Sequence, residues 1–158
     1  MGSQPRPALL HADERTGASG HAISVVLAED HRTLRRSLRG ILDAADGIDV
    51  VAEAMDVATV ARSIQRYEPH VLILDLHLPD GQGLTTIRQL AGAAATGMAI
   101  VVLTMEDSPE FAREVLHAGA RGYVLKDHAD DDLVDSVRHT SQGLRYVSPA
   151  VDERRVPR

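Results

Sequence analysis

Apolar and polar positions fall into blocks that predict strands and helices in regular turn. Ile23 to Ala28 is a compact, β-branched run that predicts a first strand, stopped by the acids Glu29 and Asp30. Leu34, Leu38, Ile41 and Leu42 then recur at helical spacing with arginines on the opposite face, and the pattern runs out near Asp46-Gly47. Ile48 to Ala54 predicts a second strand, and Asp56 is placed to cap a helix whose apolar face is Val57, Val60, Ala61 and Ile64. Pro69 closes that connection. Val71-Leu72-Ile73-Leu74 is a run of four aliphatics ending abruptly in Asp75, which predicts a strand buried on both faces that delivers a carboxylate to the sheet's edge. Pro79 and Gly81 turn the chain away from it.

The alternation continues. Leu84, Ile87 and Leu90 make a third helix face that fades through Gly92 and Gly97, and Ala99 to Leu103 predicts a fourth strand ending at Thr104. Ser108-Pro109 has the form of an N-cap with proline in the first turn, opening a helix through Phe111, Val115 and Leu116 to Gly119. Gly122 to Leu125 predicts a fifth strand, followed by Lys126. Asp130-Asp131-Asp132 then places negative charge at the positive end of a last helix containing Leu133, Val134 and Val137, which ends near Gly143. Five strand-helix units imply a doubly wound α/β fold, (βα)5. A parallel sheet of order 2-1-3-4-5 would lie between two helix layers in a three-layer sandwich, with the topological switch between the first and third strands.

Length and composition bound this picture. The chain has 158 residues, enough for one domain. Aromatics are 3% of the residues, so the core falls to Val, Leu, Ile and Ala. Residues 1–21 are rich in Gly, Ser, Pro and charge and predict a disordered leader, residues 22–143 the folded domain, and residues 144–158 a C-terminal tail or truncated linker. A formal charge of −6 gives no general attraction to nucleic acid or anionic membrane. Cysteine is absent, which excludes thiolate chemistry, and no apolar block has secretory or membrane-spanning length, so the expected compartment is the cytoplasm.

Strand ends at one sheet edge would gather Glu29, Asp30, Asp75, Thr104 and Lys126. Carboxylates brought together repel, and the usual relief is a hard divalent cation with oxygen ligands, of which Mg2+ is the intracellular favourite. Mg2+ pairs one or two carboxylates with phosphate oxygens, so the natural third party is a phosphoryl group. Asp75 is then a nucleophile that needs no general base, with Lys126 and Thr104 holding the product oxygens. Each residue alone has an ordinary explanation: a strand-terminating acid, a helix cap, a solvated lysine, a β-branched strand residue. The weight lies in their joint order.

In that order the residues resemble the receiver domain of two-component response regulators. The likeness covers Ile23 to about Pro149 and rests on Glu29-Asp30, on Leu74-Asp75-Leu76-His77-Leu78-Pro79-Asp80-Gly81, on Thr104 and on Lys126. The resemblance implies a flavodoxin-like fold with Asp75 as phosphoacceptor, serving a sensor histidine kinase as a signalling domain rather than a conventional enzyme. It implies that Asp30, Asp75 and the backbone carbonyl of His77 ligate Mg2+, and that Glu29 acts through water. Tyr123 matches an aromatic that swings inward as Thr104 moves toward the phosphoryl group, altering a surface of the fourth helix, fifth strand and fifth helix that binds a partner or a second copy. Residues 121–127 and 143–149 look most like the NarL/FixJ class, whose receivers normally precede a DNA-binding helix-turn-helix domain. The chain ends where that class has its linker, so no nucleic acid is expected to bind these residues. Met105 stands where most of the superfamily has a small residue, and is expected to restrict access to the phosphoryl site. Two rival readings are an aspartyl-phosphate phosphatase or phosphotransferase of haloacid dehalogenase type and a flavin-binding module. The first would want a second acid two residues after Asp75, where His77 stands; acids at the crevice argue against the second.

Overall fold

A computed structural model describes residues 22–93 and 97–154, so the predicted leader, residues 1–21, lies outside the described residues. The strands are β1 (Ile23–Ala28), β2 (Ile48–Ala54), β3 (Val71–Asp75), β4 (Ala99–Thr104), β5 (Gly122–Leu125) and a short β6 (Tyr146–Val147). Helices α1 (Arg32–Asp43), α2 (Val57–Tyr67), α3 (Leu84–Ala93), α4 (Pro109–Ala118), α5 (Ala129–Ser141) and α6 (Pro149–Arg154) connect or follow them. All pairings are parallel and the order is β2-β1-β3-β4-β5-β6. The first five positions follow the order read from the alternation.

The aliphatic runs form strands because the sheet is covered on both faces. Alternate residues divide into two cores: Val26, Leu72, Leu74, Val102 and Leu125 on one face, Val25, Leu27, Ile73, Val101 and Val124 on the other. Leu38 and Leu42 of α1 and Leu133 and Val137 of α5 join the second core, while residues of α2, α3 and α4 close over the first. A Cβ added to Gly122 would lie 2.9 Å from Val101 Cγ2 and 3.2 Å from Thr140 Cγ2, so this glycine lets α5 pack close against β5.

The segment after Gly143, expected as a tail or linker without regular structure, is different. β6 pairs with β5 through Gly122↔Tyr146 and Tyr123↔Val147, and Val151 of α6 is buried in the first core. Ser148, also buried, donates its N–H to the Tyr123 carbonyl at 2.9 Å and accepts the Leu125 N–H on its Oγ at 3.1 Å. Two-residue strands and six-residue helices are shorter than the periods that reveal elements in a sequence. Here the unpaired backbone edge of β5 supplies the partner. The strand-5 part of the expected output surface therefore carries β6 along its outer edge.

Candidate functional site

Register explains why distant residues converge. Ala28 pairs with Leu74, so Glu29 and Asp75 follow each other across neighbouring strand ends; Asp75 pairs with Leu103, and Thr104 with Leu125, just before Lys126. Glu29, Asp75 and Lys126 share the strand parity of the second core, whereas Thr104 and Tyr123 share that of the first. Two functional groupings thus sit on opposite faces of one sheet end.

On the acidic side, Glu29 and Asp75 are buried, and Lys126 Nζ lies 3.3 Å from both Glu29 Oε1 and Asp75 Oδ1. Burying two carboxylates beside one ammonium leaves an excess negative charge in a poorly solvated place. Asp75 Oδ1 also accepts the His77 N–H at 3.0 Å, which fixes the carboxylate against the β3–α3 loop. Among the described residues, Glu29 Oε1, Asp30 Oδ1 and Asp75 Oδ2 are buried without a hydrogen-bond partner. The first two still have an ion-pair neighbour, Lys126 and His31. Asp75 Oδ2 has none. Ligand atoms of Glu29, Asp30, His31 and Asp75 lie within 4.8 Å of one another. Hard carboxylate oxygens at this separation, with unused lone pairs, fit a divalent cation such as Mg2+.

Thr104 and Tyr123 meet at a different place. Thr104 Oγ1 accepts the Glu106 N–H at 3.1 Å, so its hydroxyl is engaged by its own loop. Tyr123 is fully buried, packs edge-on against Phe111 at 6.4 Å between ring centroids, and donates its hydroxyl to the Glu106 carbonyl. Burial, reinforced by Glu106 and Asp107, pushes the Tyr123 phenol pKa up, so it stays a neutral donor. Glu106 is therefore gripped from both sides, by Thr104 at its amide and by Tyr123 at its carbonyl. Met105, between them in sequence, is exposed.

Three residues at this edge were not picked out in the sequence. His31 Nδ1 lies 2.9 Å from Glu29 Oε2 and 3.3 Å from Asp30 Oδ1. Arg35, on α1, donates to the Glu29 carbonyl at 3.0 Å and pairs with Glu53 of β2 at 3.0 Å, bracing the loop that carries both acids. Asp80 accepts the Val57 N–H at 2.7 Å and the Ala58 N–H at 3.2 Å, tying the β3–α3 loop to the α2 N-terminus, where Asp56 caps Thr59. The signals were the adjacency of His31 to two acids, a helical i, i+4 neighbour of that histidine, and an aspartate in a turn.

A doubly wound sheet with an acidic pocket, a lysine and a threonine at its carboxyl edge is the arrangement expected of a receiver-type signalling domain. Comparison with known proteins agrees: residues 25–138 match the response regulator receiver domain, and the chain belongs to that family. It is 34% identical over 128 residues to the oxygen regulatory protein NreC of Staphylococcus carnosus (strain TM300), across 80% of this chain. It spans 58% of that protein's length. Among solved structures it resembles a LuxR-family two-component response regulator from Aurantimonas sp. SI85-9A1, with TM-score 0.75, 30% identity, and coverage of 84% of this chain and 94% of that one. It also resembles the isolated REC domain of RcsB from Salmonella enterica serovar Typhimurium in the presence of phosphomimetic BeF3-, with TM-score 0.76, 28% identity, and coverage of 84% and 98%. The haloacid dehalogenase alternative is not supported, and position 77 holds histidine where that chemistry would want an acid.

Proposed function

We propose that residues 22–143 act as a phosphoryl-accepting receiver in the cytoplasm, taking the phosphoryl group of a phosphohistidine on a partner sensor kinase onto Asp75. The observation that carries this is the Asp75 carboxylate. One oxygen is fixed by the His77 N–H and by Lys126, and the other is buried with no hydrogen-bond partner among the described residues. An ionised carboxylate oxygen attacks phosphorus in line, the P–N bond breaks, and the imidazole nitrogen keeps the electron pair. Mg2+, held by Asp30, Asp75, the His77 carbonyl and, through water, Glu29, would neutralise charge between carboxylate and phosphoryl oxygens. Lys126 then exchanges a carboxylate partner for a phosphoryl oxygen, and Thr104 gives up its contact with Glu106 to donate to another. Self-phosphorylation from small donors and self-dephosphorylation are the extent of its catalysis, and exposed Met105 limits access for the water that hydrolyses the acyl phosphate.

Loss of the Thr104–Glu106 contact releases one of the two grips on the β4–α4 loop. Tyr123 holds the other, so the change reaches α4 and the β5 edge. The output surface of α4, β5 and α5 then recruits a partner or a second copy, with β6 as part of its rim. A shift of this kind is a bias of about 1–3 kcal/mol on an existing equilibrium. Incubation with a small acyl-phosphate donor and Mg2+, borohydride reduction and tandem mass spectrometry should locate the modification on Asp75. Modification of another acid, or an equal yield in Asp75→Asn, would overturn the assignment.

A further inference from the structure

The chain is acidic, yet one groove on its surface is basic. Between α3 and α4 runs a depression of about 700 Å3 whose rim carries Arg88, Arg113, His117 and Arg145 and whose floor includes the half-buried Leu84 and Leu116. Its lining, among the described residues, sets one carboxylate, Glu114, against three guanidiniums. Among the described residues, no carboxylate pairs with Arg88 or Arg145, and Arg113 reaches only Glu110, at 3.8 Å between two exposed groups. On α1 and α5, by contrast, Arg35 and Arg39 share Glu53, and Arg138 donates to the Asp46 carbonyl.

We propose that this groove is the docking site for an acidic amphipathic helix of a partner protein. Unpaired guanidiniums around an apolar floor match a helix that presents leucine-like anchors between carboxylates, since the anchors fill the floor and the acids meet the rim in a fork geometry. Polynucleotide fits less well. The floor offers aliphatic rather than aromatic stacking surface, which suits leucine-like anchors and not bases. Arg145 matters twice, because it also lines a second cavity of about 400 Å3 on the other flank of α4, bounded by Val147 and Val151. The β5–β6 pairing that sets Arg145 beside α4 therefore completes the groove. This site stands apart from Asp75 and does not depend on the phosphoacceptor reading.

The test uses two synthetic helix-forming peptides with leucine at every third or fourth position, one flanked by glutamates and the other by lysines, and a short DNA duplex. Titrated into the 15N-labelled chain, the glutamate peptide should shift the amides of α3, α4 and Arg145, while the lysine peptide and the duplex leave them in place. The pair Arg113→Glu and Arg145→Glu should weaken the glutamate peptide by about tenfold or more, and the equally charged control pair Arg62→Glu and Arg66→Glu, on α2, by less than about twofold. Shifts confined to other faces, equal weakening by both pairs, or binding of the lysine peptide would overturn the proposal. Displacement of the same amides by the duplex alone would assign the face to nucleic acid instead.

Discussion

The two ends of the sheet are built on opposite principles. At the end where the strands begin, polar groups close on one another. The Ser24 N–H donates to His70 Nδ1 at 2.9 Å, the His70 N–H reaches the Ser24 carbonyl at 3.0 Å, and the Ala99 N–H takes the His70 carbonyl at 2.9 Å. At the end where the strands finish, three buried carboxylate oxygens lack hydrogen bonds among the described residues, and one lysine stands between two acids. The same parallel ladders support both ends. The difference shows that the acidic end is held in an electrostatically unfavourable state by the packing beneath it, which on the proposed reading a bound cation or phosphoryl group would relieve. Removing an acid where the strands finish should therefore stabilise the metal-free chain, whereas removing a polar group where they begin should destabilise it.

The largest effect is expected where the acidic end loses the ammonium that Glu29 and Asp75 share. Lys126→Met should lower stability by about 3 kcal/mol in metal-free buffer, because Glu29 and Asp75 would share a buried site without a cation. Urea denaturation followed with and without Mg2+ checks this, and the metal should restore part of the loss. Asp75→Asn should go the other way and raise metal-free stability by about 2 kcal/mol, since one of the two opposed charges disappears. Its melting temperature should also respond less to Mg2+ than the parent's. An unchanged response would break the link between the orphan oxygens and a metal. At the other end, His70→Ala should cost about 1 kcal/mol, independent of Mg2+, because the Ser24 N–H loses an acceptor that water can partly replace.

The smallest effect concerns pH. Its hydrogen bonds with Thr59 hold the Asp56 carboxyl below its ordinary value of 3.8. The folded pKa lies below the unfolded one, so the contribution is fully present above the unfolded value and is lost as pH falls through the depressed folded value. Asp56→Asn, which keeps a capping oxygen, should remove that part of the acid limb of the stability–pH curve while leaving neutral stability nearly unchanged.

How much of this could be read from the residues follows from the range of each interaction. β3 was legible because four aliphatics in a row leave few alternatives to a two-sided buried strand, and Ser108-Pro109 because a cap acts over three residues. The Phe111 N–H does reach Ser108 Oγ, at 3.2 Å. The convergence of Glu29, Asp75 and Lys126 was legible through topology alone, since parallel strands share one carboxyl end. The role of Asp80 was not, because its partners, Val57 and Ala58, are 23 and 22 residues away and depend on how the β3–α3 loop closes over α2. The β6 pairing was hidden for the same reason: Tyr146 and Val147 become a strand only because Gly122 and Tyr123 lie beside them. Tyr146 adds an anchor no pattern shows, its ring edge-on to His139 at 5.5 Å and its phenol pKa pushed up by burial and by Asp132 and Asp135.

The most direct test of the contrast between the two ends is intact mass after incubation with a small acyl-phosphate donor, run in parallel with Mg2+ and with a chelator. The account predicts one added phosphoryl group with Mg2+, almost none with the chelator, and none in Asp75→Asn under either condition. A parent that gains no phosphoryl group, or gains it equally without metal, would contradict the claim that the unpaired oxygens at the strand ends form one metal and phosphoryl site.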